Sequence, residues 1–505
     1  IGTRMAVSTA AEPIYITTNR EELERLRQYM PAGLDSDAFT IDYERPSFSP
    51  TISFAMTKKL LALFMPLLIL SACSNSDPNP DPDPEKPVYP ATDKDLNPDL
   101  NAWEATVKVT FDNTRVSVEG QSDANVNASI NGMNVDLDLG SEKLIKVVIT
   151  GTSANGSVRL TGDRKHLIEL NNLNLTSTDR PAINDQNSKR MFLVVSGTNT
   201  LADGQNYATA AEDRKGCLFA ESHIVVCGDG SLEITGNYRH GLVTDGFLYV
   251  NPGVTLKIAD AKKNAIHVKG SNSANNAYRG VEIAGGTITA LTSAPSGKAI
   301  KCDGGVVISG GKISLACLGD AAIDPADGTL SSPACIKSDL SVSISDKATV
   351  KLDASGTGAK GINADGNITL GGGSLEISLT GAAVAQNGDT STPKGIIAHK
   401  ELTVSGGIVS ISATGAGSTG IEAEISASFT GGSLTAFGAE TGFAAPRASA
   451  TGGSFIIGGA ANSLVEGAQN ESFTSVIKGE ETKIGKTTFT WPVTLPSASL
   501  LHFGI

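Results

Sequence analysis

The stretch Lys360-Gly-Ile-Asn-Ala-Asp-Gly-Asn-Ile-Thr-Leu-Gly-Gly-Gly-Ser-Leu-Glu-Ile377 decides the fold. Its opening phrase, Lys360 to Asp365, recurs in one alignment column. Before it come Gly216-Cys-Leu-Phe-Ala-Glu221, His240-Gly-Leu-Val-Thr-Asp245, Asn264-Ala-Ile-His-Val-Lys269, Lys298-Ala-Ile-Lys-Cys-Asp303 and Ala334-Cys-Ile-Lys-Ser-Asp339. After it come Lys394-Gly-Ile-Ile-Ala-His399, Thr419-Gly-Ile-Glu-Ala-Glu424 and a decayed Thr441-Gly-Phe-Ala-Ala-Pro446. Successive starts lie 24, 24, 34, 36, 26, 34, 25 and 22 residues apart. A base period in the low to middle twenties, interrupted by insertions of about ten residues, is the mark of a solenoid.

The closing phrase, Gly372-Gly-Ser-Leu-Glu-Ile377, repeats as Gly285-Gly-Thr-Ile-Thr-Ala290, Gly310-Gly-Lys-Ile-Ser-Leu315, Gly406-Gly-Ile-Val-Ser-Ile411 and Gly431-Gly-Ser-Leu-Thr-Ala436. Apolar and polar residues alternate, which is strand periodicity, and paired glycines supply turns. A sustained helical period and a leucine-rich frame are both missing from 200–460. The expected class is all-β, a parallel β-helix. Alternation points Ile362 and Ala364 inward and Gly361, Asn363 and Asp365 outward. The inward column then reads Leu218, Leu242, Ile266, Ile300, Ile336, Ile362, Ile396, Ile421, beside a column of small residues from Ala220 to Ala423. Such ladders stabilise a solenoid, because no coil buries its own core.

Composition agrees. The 55 glycines lack a collagen period, and a 40% hydrophobic share supplies a core. A net charge of −13 argues against a nucleic-acid partner, since phosphate binding needs a basic surface. Aromatics, at 5%, offer little for stacking on sugar rings.

The first hundred residues concern address. Residues 1–55 precede an export signal, start without Met and share nothing with the repeats; they are expected to be a non-native or unstructured extension, with a short helix conceivable over Glu21 to Met30. Residues 56–73 form a secretory signal: Met56-Thr-Lys-Lys, an apolar run from Leu60, and Leu70-Ser-Ala-Cys73, which resembles a bacterial lipobox with Cys73 as the lipidated residue. Leu60 to Ala72 is too short to span a bilayer comfortably. Residues 74–100 form a Pro/Asp-rich tether reaching roughly 75 Å. Ser74 after the cysteine suits a Gram-negative outer membrane, so the expected location is the outer membrane or cell surface, held by the lipid alone. Residues 101–145 alternate without the repeat phrase and read as N-terminal cap strands, 146–460 as the β-helix, and 461–505 as a C-terminal cap, with Leu501 to Ile505 suggesting a truncated end. Five cysteines follow Cys73; Cys217–Cys227 and Cys302–Cys317 are conceivable disulfides, and buried free thiols are the more economical alternative.

The Gly-Ile-x-Ala-Asp phrases followed by Gly-Gly-x-Leu-x-Ile, across about residues 130–460, resemble a family of bacterial secreted carbohydrate-binding domains. The resemblance implies a right-handed parallel β-helix binding pectic, polygalacturonate-type polysaccharide with calcium. It also implies a likeness to pectate lyases without their activity. Members often carry Asp-Asp-Gly-Ile before the strand. Here those places read Thr357-Gly-Ala-Lys-Gly-Ile362, Gly417-Ser-Thr-Gly-Ile421 and Arg239-His-Gly-Leu242, and acidity near the pattern survives at Asp320 and Asp324.

Two outward columns carry the candidate chemistry. Asp303, Asp339 and Asp365 stack at coil spacing, near 4.8 Å, and like charges so close call for a cation or a lysine between them. With Asp320 and Asp324 they are the candidate Ca²⁺ ligands; the alternative is that they cap turns. Lys301, Lys337 and His267, beside Lys298, Lys360 and Lys394, are candidate contacts to uronate carboxylates. The alternative is that they neutralise the aspartates. No acid–base cluster stands out, and histidines are too scattered for zinc. The expected function is non-catalytic binding of an acidic polysaccharide; a calcium-dependent lyase and a structural adhesin shaft are the competing readings.

Overall fold

The structure, a computed structural model, describes Pro90, residues 92–270 and 280–459, and the strands Ile14–Thr17, Phe39–Asp42, Thr51–Phe54, Glu481–Ile484, Thr487–Thr490, Val493–Thr494 and Ser499–Gly504. The signal with Cys73, the tether up to residue 89 and the candidate helix at Glu21 lie outside the described residues. In the unit Ile1–Pro84 the three strands pair as an antiparallel sheet around Thr51–Phe54, an arrangement that the expectation of a non-native or unstructured extension over 1–55 does not include. Among the described residues no helix is long and apolar enough to cross a membrane.

The rest is a parallel β-helix with three faces, and one repeat of the quoted stretch makes one coil. Lys360–Ala364 lies on face 1, Ile368–Leu370 on face 2 and Ser374–Leu379 on face 3. Each strand pairs in parallel with its counterparts one coil before and after. Face 1 is a 13-stranded sheet. Its register sets Ile183, Leu218, Leu242, Ile266, Ile300, Ile336, Ile362, Ile396, Ile421 and Phe443 side by side, all buried. Each contributes about 1.5–3 kcal/mol by leaving water, and the aliphatic column expected from sequence is thereby found. Faces 2 and 3 share one network because strands such as His166–Thr176 and Ser426–Gly438 bend through both.

The paired glycines turn the chain into face 3. Gly373 (φ 68°) and Gly407 (φ 77°) stack on each other, and a Cβ at Gly407 would lie 2.7 Å from the backbone of Gly372 and Gly373. Any other residue there meets both a left-handed backbone and the neighbouring coil.

One facing assignment is corrected. Gly361 does not point outward: a Cβ there would sit 2.6 Å from the Ile377 side chain, inside the core. The ladder pairs Lys360 and Ile362 with the preceding coil and skips Gly361, so strict alternation breaks at the second position of the phrase. That place, filled by Cys217, Ala265, Ala299 and Cys335 elsewhere, is buried and takes small residues for this reason.

Two of the ten-residue insertions are hairpins, Ala322–Ile323 with Leu330–Ser331 and Val384–Gln386 with Asp389–Ser391. A Ser332–Ser391 hydroxyl contact of 2.6 Å joins them. At the N-terminal end, Ala105–Asp112 pairs antiparallel with Val116–Glu119, and Asn127–Asn131 with Asn134–Asp138, forming the cap strands. At the other end Phe429 packs on Phe443 and Phe455, at 5.5 and 4.9 Å between ring centres, and Ser499–Gly504 runs antiparallel to Ala448–Gly459. All five described cysteines are free and buried.

The end of the tether is not loose. Residues 92–103 form a strap over the outside of face 2, where Leu167, Phe192, Val225 and Tyr249 make an apolar outward column in register. Leu96 and Trp103 close one apolar cluster with them, and Asn251 donates to the Leu96 carbonyl at 3.0 Å. Trp103 meets Phe192 edge-on at 5.8 Å.

Candidate functional site

The fourth and sixth positions of the phrase form a continuous strip along face 1. Coil stacking brings Lys301 to 2.7 Å from both Asp303 and Asp339. Lys337 lies 3.5 Å from Asp339 and also bonds Asp365. His399 continues the line, 3.8 Å from Asp365 and 2.8 Å from Glu424, while His267 stands 3.9 Å from Asp303 at the other end. The result is a ladder of alternating charge. Parallel strands in register make it: a lysine two residues before its own aspartate faces the aspartate of the next coil equally well.

This packing fixes the charge states. Burial works against the ammonium of Lys301, but its two aspartates outweigh burial and hold its pKa above the ordinary lysine value. The imidazole of His267 and the ammonium of Lys301 pull Asp303 down to about 2. Lys301 and Lys337 are only 19% and 17% exposed, whereas their aspartates are 39–47% exposed.

The lysines at the first position are elsewhere. Lys298 and Lys360 sit under the inserted hairpins. Lys298 donates to Ser296 O (2.8 Å) and Ser331 Oγ (3.1 Å). Lys360, 7% exposed, donates to Gly358 O (2.8 Å), Ser391 Oγ (3.1 Å) and Thr392 O (2.5 Å). Burial pushes the two amines down, to about 8 and about 7. Lys394 pairs with Glu422 at 2.7 Å. The six cations grouped by sequence are thus split: Lys301, Lys337 and His267 share the ladder, Lys298 and Lys360 pin hairpins, and Lys394 has a carboxylate of its own.

The candidate calcium ligands are engaged too. Asp303, Asp339 and Asp365 hold the ladder lysines. Asp320 accepts the Thr357 N–H and hydroxyl (2.8 and 3.0 Å), and Asp324 accepts the Ala326 N–H (2.9 Å) in a hairpin turn. Among the described residues no three His, Cys, Asp or Glu side chains converge as a metal site. As arranged, these five carboxylates do not fit the many-oxygen shell that Ca²⁺ requires.

Sequence reasoning missed the strap and the ion pairs beneath it. Asp95 lies 2.9 Å from Arg190 and 3.4 Å from Lys165, both from corners of the coil. The available signal was the apolar outward column from Leu167 to Tyr249, which demands a cover.

Residues 142–380 match the model of a family described as carbohydrate-binding domain-containing protein. The match takes in Lys298, Lys301, Lys337 and Lys360 and stops before Lys394, and it supports carbohydrate binding. A solved structure described as a polysaccharide lyase-like protein from C. thermocellum, in a gadolinium derivative, is similar at 22% identity with a TM-score of 0.42, covering 52% of this chain and 96% of that one. No curated protein matches the chain.

Proposed function

We propose that this protein is a non-catalytic lipoprotein, held at the bacterial surface through Cys73, whose β-helix binds an acidic polysaccharide of the polygalacturonate type. The family match across the regular coils carries the reading. An elongated, repetitive flank suits a repetitive polymer, and a chain poor in aromatics favours ionic and hydrogen-bonded recognition.

The competing lyase reading draws on Lys360, whose pKa of about 7 suits a general base. Its position argues against that role. The amine is covered by two hairpins and spends its protons on two carbonyls and a serine, so no substrate carbon reaches it. Lys301, held protonated between two aspartates, cannot accept a proton either.

The test is migration of the intact chain through gels containing polygalacturonate, neutral glucan or no glycan, with and without EDTA. Retardation by the acidic polymer alone is expected. Retardation by neutral glucan alone would refute the acidic ligand, release of unsaturated uronides would establish a lyase, and no retardation would leave a structural shaft. Cys73→Ser is expected to release the protein from the membrane fraction; its retention there would refute the anchor.

A further inference from the structure

One groove of the molecule has the opposite charge from the whole. It lies where the strap meets the corners of the first coils and has a volume of about 520 Å³, within the range of roughly 300–1,000 Å³ typical of small-ligand sites. Five cationic side chains and two carboxylates line it, a surplus of three positive charges on a chain whose net charge is −13. Asp95 is shared between Arg190 and Lys165, and Asp163 is matched to Lys189 at 3.1 Å. Lys94 and Arg164 have no carboxylate partner among the described residues.

We propose that this groove holds a carboxylated sugar residue of the bound polymer, an inference that rests on the glycan-binding reading above. Lys94 and Arg164 supply the uncompensated charge. The guanidinium of Arg190 is fixed over the Phe247 ring, its carbon 5.1 Å from the ring centre, and its buried Nε finds no acceptor among the described residues. His223 accepts the Phe247 N–H at Nδ1 (3.1 Å), which leaves a neutral donor at Nε2 for a hydroxyl or carboxylate oxygen. Arginine forks match carboxylates in geometry, and charge-assisted bonds are the stronger kind. The ladder on face 1 is the poorer host, because a uronate approaching Lys301 must displace an aspartate and then lie beside it.

The groove is tested by titrating the intact chain with oligogalacturonate, a neutral oligosaccharide and phosphatidylglycerol vesicles. Lys94→Gln with Arg164→Gln breaks no ion pair among the described residues and removes one exposed hydrogen bond, from Arg164 to the Glu142 carbonyl. The fold is therefore expected to melt within a few degrees of the native chain while Kd for oligogalacturonate rises by about tenfold or more. Lys301→Gln with Lys337→Gln is expected to leave that Kd unaltered. Equal binding by the groove variant would overturn the proposal, as would loss of binding only in the ladder variant. Capture of vesicles but not of oligogalacturonate through Lys94 and Arg164 would assign the groove to lipid headgroups and overturn it too. If the native chain binds only the neutral sugar, the groove proposal fails while carbohydrate binding stands; if it binds no sugar at all, both fail.

Discussion

The ladder on face 1 and the groove beneath the strap are made of the same ingredients in opposite proportion. In the ladder each ammonium lies between two carboxylates, and the strip runs from His267 at one end to Glu424 at the other. In the groove Asp95 serves two cations and Asp163 serves Lys189, while Lys94 and Arg164 have no carboxylate partner among the described residues. The first arrangement stabilises the stacking of coils and has little left to offer a ligand. The second leaves charge over. A row of lysines read from sequence is therefore a poor guide to an anion site; what matters is the charge that neighbouring coils fail to neutralise.

The contrast can be broken most forcefully at Arg190. Arg190→Glu sets a new carboxylate against Asp95 and removes the stack on Phe247, at an expected loss of about 3 kcal/mol. Chemical denaturation should show it together with proteolytic access to the strap, and unchanged stability would deny Arg190 its role. Next, Lys301→Ala with Lys337→Ala leaves three aspartates facing one another, and the expected loss is about 1–2 kcal/mol, larger at low salt; an unchanged melting temperature would show that the ladder is ornamental. In that variant the freed carboxylates should gain a thermal shift with millimolar Ca²⁺ that the native chain lacks, whereas a Ca²⁺ shift in the native chain would restore the aspartates as a metal site.

The smallest effect is in acid. Burial, with Arg190 close by, lowers His223 from 6.5 to about 4, so the unfolded chain takes up that proton first and the groove region loses stability as pH falls from 6.5 towards 4. Asp303 is depressed from 3.8 to about 2, so its contribution persists above 3.8 and fades only as pH falls towards 2. Amide exchange at pH 5 should therefore quicken around His223 before it does around Lys301. Simultaneous quickening would remove the distinction.

Much of the scaffold was legible in the sequence. The aliphatic column kept its register across spacings as unequal as 24 and 36 residues, because insertions leave the coil as hairpins without disturbing the strands. Gly361 was misread because alternation assumes an unbroken ladder, and the ladder skips that residue. The strap escaped because Leu96 and Trp103 are isolated apolar residues near a proline-rich tract; their partners are up to 155 residues away. The groove was illegible for a related reason: Lys94, Arg164 and Arg190 meet only through coil stacking and the strap. Local phrases revealed the coils, and nothing local revealed what the coils bring together.

The strap also has a mechanical consequence. A pull on the chain ahead of residue 90 does not first reach Ala105–Asp112, the strand hydrogen-bonded into the first coil. It arrives on the flank, where Leu96 is pinned to Asn251, Asp95 to Arg190 and Trp103 against Phe192. These contacts can peel one after another, dissipating a tug before it loads the strand ladder. The segment works as strain relief on a cable, and the coils stay wound while their leash is jerked.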